Sequence, residues 1–210
     1  MSSLDSLISE RRSIRSYGKE IPPEAWIEKM IYCATRAPSP TNSQPFRFIR
    51  ISSPGVRDRL YRAMAEGLRT LLMSLEKNNG PKRIKNWIRG YWRFSEFMFR
   101  APVLFAVGAA WPAAGFSEKL LRAGLIETDQ RGETDGDISV GLALKGFILK
   151  GTELGLGTCI LTAPLVFIGD IEELLGISGT RVKCFVTVGY PGEAPRFLEK
   201  KGIEHVYCEI

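Results

Sequence analysis

The chain is expected to fold as a mixed α and β structure, one sheet covered by helices, and three observations predict this. Apolar runs of strand length alternate with stretches of helical period from end to end. The segment Asp137 to Leu154 is apolar nearly all round, as a helix buried centrally or at a subunit interface is. With 210 residues, 44% hydrophobic and 25% charged, the chain is long enough to bury a sizeable core and globular rather than disordered in composition. A single domain over residues 1–210 follows.

The elements are read in order. Between Pro22 and Arg36 the apolar positions Trp26, Ile27, Met30, Ile31 and Ala34 recur at three and four, with Pro22 and Pro23 in the first turn, where a helix tolerates proline. Phe46 to Ile51 alternates Phe46, Phe48 and Ile49 with Arg47 and Arg50, a short strand with one polar side. Ser53 and Pro54 then supply an N-cap and a first-position proline for another helix. From Glu66 to Arg100 the chain is helical, basic and aromatic, interrupted by the turn Asn78-Asn79-Gly80-Pro81, and reads as an inserted helical lid. Ala101 to Ala110, with Val103, Leu104, Phe105 and Val107, is a buried strand. Residues 111–136 read as an irregular variable loop, with 131–136 as its mobile part.

In the core helix Asp137 to Leu154, the small residues Gly141, Ala143 and Gly146 permit close approach of another backbone. Gly155-Leu156-Gly157 ends it. Thr158 to Leu161 is a strand running into Thr162-Ala163-Pro164, Ile168 to Leu175 is a helix closed by Gly176, and Val182 to Val188 is the last strand, ending in Gly189-Tyr190-Pro191-Gly192.

Composition narrows the function. The net charge of +6 and pI near 9.2 are spread along the chain, and no zinc-finger, ribonucleoprotein or basic-zipper pattern occurs. Residues 82–100 interleave Lys82, Arg83, Lys85, Arg89 and Arg93 with Trp87, Tyr91, Trp92, Phe94 and Phe97, which describes a nucleic-acid surface or an amphipathic helix over a pocket; the second is preferred, and no nucleic-acid partner is expected. Cys33, Cys159, Cys184 and Cys208 form no Cys-x-x-Cys pair and read as packing or tail residues in a reducing compartment. The amino end lacks the apolar core of a signal peptide, and the apolar run 101–116 is too short for a membrane span, so a cytoplasmic protein without membrane contact is expected. His205 is the only histidine and sits near the carboxyl end, which argues against a histidine-based hydrolase. No metal-ligand spacing and no Gly-rich phosphate loop is present. A chain so poor in side-chain catalysts is well explained by a cofactor that carries the chemistry.

Two segments point to that cofactor. Arg11-Arg12-Ser13-Ile14-Arg15 puts three guanidiniums and a hydroxyl within five residues, which suits a phosphate. Pro38-Ser39-Pro40-Thr41-Asn42-Ser43-Gln44-Pro45-Phe46 is a proline-bracketed loop of small donors and acceptors, which suits the polar rim of a flat heterocycle. In their order and spacing they resemble the nitroreductase family of flavin mononucleotide (FMN) oxidoreductases, as do Leu154-Gly155-Leu156-Gly157-Thr158 after the core helix and the strand end Val188-Gly189-Tyr190-Pro191-Gly192-Glu193.

The resemblance implies an α+β, three-layer α/β/α fold with a mixed, mostly antiparallel sheet. It implies bound FMN, a homodimer with shared flavin sites, and hydride transfer from NADH or NADPH to flavin N5, with electrons passed on by ping-pong turnover to a nitroaromatic or quinone-like acceptor. It places Arg11 and Ser13 on the phosphate and Arg12 beside the ribityl-phosphate region. Arg15 is placed at the pyrimidine edge, where a cation favours the reduced ring; pairing with a surface carboxylate is the alternative. Pro38, Ser39, Pro40, Asn42 and Gln44 fall in the loop that lines the flavin of the other subunit, although Asn42 and Gln44 could instead satisfy their own loop. Pro40 stands where many relatives carry a small residue. The backbone at Leu161 and Thr162 falls beside N5, so no catalytic side chain is required, and Lys200 and Lys201 fall near the phosphate, with Arg196 an equal candidate. Cys159 reads as packing rather than as a redox thiol. The acidic and tyrosine lid pattern of the deiodinase branch is not seen, and a flavin-binding protein without NAD(P)H turnover remains the alternative function.

Overall fold

The computed structural model describes residues 3–110, 116–127, 134–192, 194 and 199–210. Among these, β1 (Phe46–Arg50), β2 (Val103–Ala110), β3 (Gly157–Leu161) and β4 (Thr180–Gly189) form one sheet in the order β1-β2-β4-β3, with every neighbouring pair antiparallel. A parallel contact occurs outside the named strands, an isolated bridge between Ser13 and Thr158. β2 and β4 are central; β2 up to Ala109 and β4 from Cys184 onward are buried at every position, which is why these stretches read as apolar runs rather than alternating ones. The register slips between Val107 and Gly108. A Cβ at Gly108 would lie 2.2 Å from the Arg181 carbonyl oxygen, so only glycine permits this approach.

Helices cover both faces. On one lie α2 (Glu24–Thr35) and α6 (Thr134–Glu153), with α1 (Leu4–Glu10) against α6. Their Met30, Ala34, Ala143 and Phe147 pack on Phe105, Val107 and Val186 of the sheet. On the other lie α3 (Pro54–Lys77), α7 (Pro164–Phe167) and α8 (Ile171–Leu175), whose Leu60, Met64, Phe167 and Ile171 pack on Leu104, Ala106 and Phe185. This is the expected three-layer α/β/α architecture. α4 (Lys82–Glu96) folds back on α3 after the Asn78–Pro81 turn, with Lys85 Nζ 2.6 Å from Glu76 Oε1. Ser53 caps α3 as its sequence predicts, accepting from the Val56 N–H. The close approach expected at Gly146 is made to α2: its missing Cβ would stand 2.9 Å from the Cys33 carbonyl oxygen.

Three expectations need correction. The stretch read as irregular contains α5 (Phe116–Arg122), supported by a Glu118–Arg122 pair at i,i+4. Thr134 to Gly136, read as mobile loop, form the first turn of α6, where Asp135 and Asp137 favour the positive end of the helix dipole; 128–133 lie outside the described residues. The helix expected over Ile168 to Leu175 is only α8, Ile171 to Leu175, because Ile168 is extended and Asp170 takes a left-handed φ of 46°, and the separate short helix α7 precedes it in a stretch read as a link.

Candidate functional site

The basic segment is a strap laid across the end of the sheet. α1 stops at Arg11, and from there Ile14 N–H donates to the Thr158 carbonyl at 2.9 Å, Gly192 N–H to the Ser16 carbonyl at 2.9 Å, and Gly18 N–H to the Tyr190 carbonyl at 3.0 Å. The strap is therefore hydrogen-bonded to the start of β3 and to the exit of β4. Three of the segments matched in the sequence, 11–15, 154–158 and 188–192, meet here. A Cβ at Gly157 would sit 2.5 Å from Ile14 Cγ1, so this glycine lets the buried Ile14 side chain close on β3.

Ile14 points inward, and its neighbours Ser13 and Arg15 are exposed. Arg12 donates to the Ser9 and Arg11 carbonyls, which folds it back along the strap. Among the described residues Arg11 and Arg15 make no ion pair; Arg15 has only a long contact, 3.5 Å, to the Ser13 carbonyl. Among the described residues no surface carboxylate pairs with Arg15. Both guanidiniums lie close enough to Cys159 to act on its thiol: burial pushes that pKa up, and Arg15 and then Arg11 pull it down. Raised on balance, the thiol stays protonated, in keeping with a packing role.

The second segment lies elsewhere. Ser39 to Ser43 form a tight turn in which Ser39 Oγ accepts from Gln44 N–H at 2.9 Å and Gln44 Nε2 donates to Asn42 Oδ1 at 3.4 Å. Thr41, Asn42 and Gln44 hold positive φ. Within one chain these groups satisfy their own loop, yet Asn42 and Gln44 remain exposed. The loop leads into edge strand β1 at Phe46, opposite Ala109, whereas the strap borders the other edge strand, β3, at Thr158, opposite Val188. Three strand spacings separate the edges, roughly 14 Å, and the two attachment points are also offset by roughly 20 Å along β4. The fold keeps strap and loop apart within one chain.

The remaining expected residues are placed as follows. Leu161 is buried at the end of β3, and Thr162 is exposed in the link to α7, where its carbonyl accepts from Leu165 N–H at 3.0 Å. Lys200 and Lys201 are exposed and make no ion pair among the described residues, and Arg196 lies outside them. His205 is exposed near the carboxyl end, next to Glu204. In α4, Trp92 packs on Tyr61 and Phe167, whereas Trp87, Tyr91 and Phe94 form an exposed stripe on one side of the helix. Since α7 begins two residues after Thr162, the Trp92–Phe167 contact puts α4 beside the end of β3.

Two residues escaped the sequence reading. Tyr17 donates through its hydroxyl to the Ile14 carbonyl at 2.7 Å and lies 2.7 Å from Thr187 Oγ1. Burial pushes the Tyr17 phenol well above its usual pKa, so it stays a neutral donor. The available signal was Thr187 itself, a hydroxyl within the otherwise apolar run Cys184 to Val188. A separate cleft of about 370 Å³, lined by Arg57, Asp58, Tyr61, Glu96, Phe99 and Arg100, contains no strap residue, and its Arg57 is bound by the Ile51, Phe99 and Ala101 carbonyls. Among the described residues no group of acidic, histidine or cysteine side chains could hold a metal, and no helix is long and apolar enough to cross a membrane.

The nitroreductase family model matches residues 8–190. An iodotyrosine deiodinase of Thermotoga neapolitana is 29% identical over 200 residues, covering 92% of this chain and 91% of its own length. The putative NAD(P)H nitroreductase YfhC of Bacillus subtilis is 23% identical over 208 residues, 99% of this chain and 94% of its own. Among solved structures, a BluB-like flavoprotein from Clostridium difficile superposes with a TM-score of 0.84 at 25% identity, with both chains fully covered.

Proposed function

This chain belongs to the nitroreductase family, and from that premise we propose that it is an FMN-dependent oxidoreductase that takes reducing equivalents from NADH or NADPH and delivers them to an electron-poor aromatic acceptor, nitroaromatic or quinone-like. The observation that carries the reading is the strap: guanidiniums of Arg11 and Arg15 with no ion-pair partner among the described residues, and the exposed Ser13 between them, all held on a backbone hydrogen-bonded to the sheet. That donor set fits a phosphorylated flavin: Arg11, Arg12 and Ser13 for the phosphate end, Arg15 for the pyrimidine edge, and the backbone at Leu161 and Thr162 for the ring. Bound FMN supplies the two-electron chemistry. The chain's own residues bind and orient. Arg15 contributes fixed positive charge where the reduced ring is anionic, and Lys200 or Lys201 adds charge at the phosphate.

Dimerisation completes the site in this reading. The loop with Pro38, Ser39, Pro40, Asn42 and Gln44 cannot reach its own strap, so it serves the flavin of a second copy. Two exposed apolar surfaces support such a partner: Leu4, Ile8, Ile138 and Leu142 on the outer side of α1 and α6, and Ile203, Val206 and Tyr207 near the carboxyl end. Residues 66–77 complete α3 against the sheet, so of the segment 66–100 it is α4 that serves as the lid over the acceptor, with Trp87, Tyr91 and Phe94 available for stacking. The free cysteines suit a reducing, cytoplasmic setting.

An absorbance spectrum of the protein with FMN, before and after NAD(P)H under anaerobic conditions and then with a panel of acceptors, tests the proposal. Flavin absorbance that bleaches with NAD(P)H and returns with a nitroaromatic or quinone is expected. Bleaching that never occurs identifies a flavin-binding protein without turnover. Protein that stays colourless and takes up no FMN overturns the reading. The panel should include a halogenated phenol, because one relative is an iodotyrosine deiodinase.

A further inference from the structure

We propose that the Tyr17 hydroxyl, backed by Thr187, is a positioning group for the flavin cradle: it holds the Ile14 carbonyl and thereby aims Ser13 and Arg15. This rests on the FMN reading above. Ile14 is clamped on both of its backbone sides. Its N–H donates to the Thr158 carbonyl at 2.9 Å, and its carbonyl accepts from the Tyr17 hydroxyl at 2.7 Å. The Tyr17 oxygen has no second proton to give, so across the 2.7 Å contact it accepts from Thr187 Oγ1. Thr187 is fully buried in β4, and its hydroxyl lies 3.4 Å from the Cys159 carbonyl in β3.

The strap is thus tied by its backbone to edge strand β3 and through two side-chain hydroxyls to central strand β4. The buried hydroxyls of Ser95 and Ser139 do something more ordinary: each bonds back to the carbonyl four residues earlier in its own helix. The Tyr17 ring also packs near Phe97 at 6.4 Å between centroids, and a Cβ at Gly189 would meet its Cδ1 at 2.9 Å. Ring position is therefore set by packing, and the hydroxyl is left to set the Ile14 peptide. Moving that peptide would redirect Ser13 and Arg15 together, because they flank it.

The test uses Tyr17→Phe, which keeps the ring, alongside Thr187→Val and the conservative Thr187→Ser. FMN affinity is measured by fluorescence titration of the apoprotein, the midpoint potential of the bound flavin by equilibration with reference dyes, and backbone exchange across residues 11–17 by mass spectrometry. Tyr17→Phe is expected to weaken FMN binding about tenfold, the size of one lost buried hydrogen bond. It should also shift the potential to more negative values and accelerate exchange in the strap; the lost bond lowers the thermal midpoint of the apoprotein as well, and the shift in potential is the readout that a merely structural role would not move. Thr187→Val should do the same more weakly, and Thr187→Ser should restore wild-type values. Arg15→Ala should shift the potential less in the Tyr17→Phe background than in the wild type, since the arginine there is already misdirected. FMN affinity and potential unchanged in Tyr17→Phe, or fully additive effects with Arg15→Ala, overturn the clamp alone. Wild-type protein that binds no FMN overturns the flavin reading and the clamp with it.

Discussion

At the scale of single residues, charge and burial divide the labour. Among the described residues the Arg11 and Ser13 side chains have no hydrogen-bond or ion-pair partner, so in the flavin reading their worth lies in a ligand rather than in the fold. Arg11→Ala or Ser13→Ala should weaken FMN binding about tenfold each, as loss of a charge-assisted contact does, with little change in the unfolding midpoint. His205→Ala should leave reductase activity near wild type; abolished turnover in a folded His205→Ala protein would contradict a mechanism without side-chain acid or base. The buried thiols behave oppositely, contributing to the fold and not to a ligand. Burial pushes Cys184 up to about 12. The folded pKa is raised, so this contribution is complete below the ordinary thiol range and is lost as pH rises toward 12, by up to about 4 kcal/mol. Urea midpoints measured from pH 8 to pH 11 should fall, and fall less steeply in Cys184→Val, in which this titration is absent.

At the scale of elements, close backbone approaches decide where the helices lie. Gly67 in α3 has the Phe167 carbonyl oxygen 1.8 Å from where a Cβ would stand. α3 and α7 therefore touch backbone to backbone, and α7 is the element that follows Thr162 at the end of β3. Gly67→Ala must push the two helices apart, at a cost of about 1–3 kcal/mol or more. A urea midpoint equal to wild type would show that the contact is looser than described. The sequence reading found Gly146 by its place among small residues on the core helix, but Gly67 lies in a helix of mixed polarity where nothing marks it. α2 was legible from apolar spacing, the start of α3 from its Ser53 cap and Pro54, and α6 from being apolar nearly all round. α5 was hidden by the prolines and glycines around it, and the break between α7 and α8 depends on the left-handed turn at Asp170.

At the scale of the molecule, the separation of strap and loop has a consequence that mixing can test. If the two come from different subunits, one variant carrying Arg11→Ala and another carrying Asn42→Ala and Gln44→Ala should complement each other. Each mixed dimer then has one site with both defects and one with none, so random reassortment should restore about a quarter of the wild-type sites. A site built within one chain would restore nothing on mixing. Light scattering of the same samples reports the mass, and a fully active monomer would contradict a shared site.

What the sequence determined by itself was local: apolar period, turn chemistry, and clusters of guanidiniums or of small polar groups that are contiguous in the chain. These were sufficient for the layered class and for most strands and helices, and they singled out the strap as a candidate anion site. Only the tertiary structure decided what depends on residues far apart in sequence. Sheet order β1-β2-β4-β3 set the strap and the Asn42 loop at opposite edges, and the antiparallel pairing of β3 with β4 brought Thr187 under Tyr17, 170 residues away. Strand order and register are fixed by the packing of both sheet faces at once, and no local pattern encodes that sum.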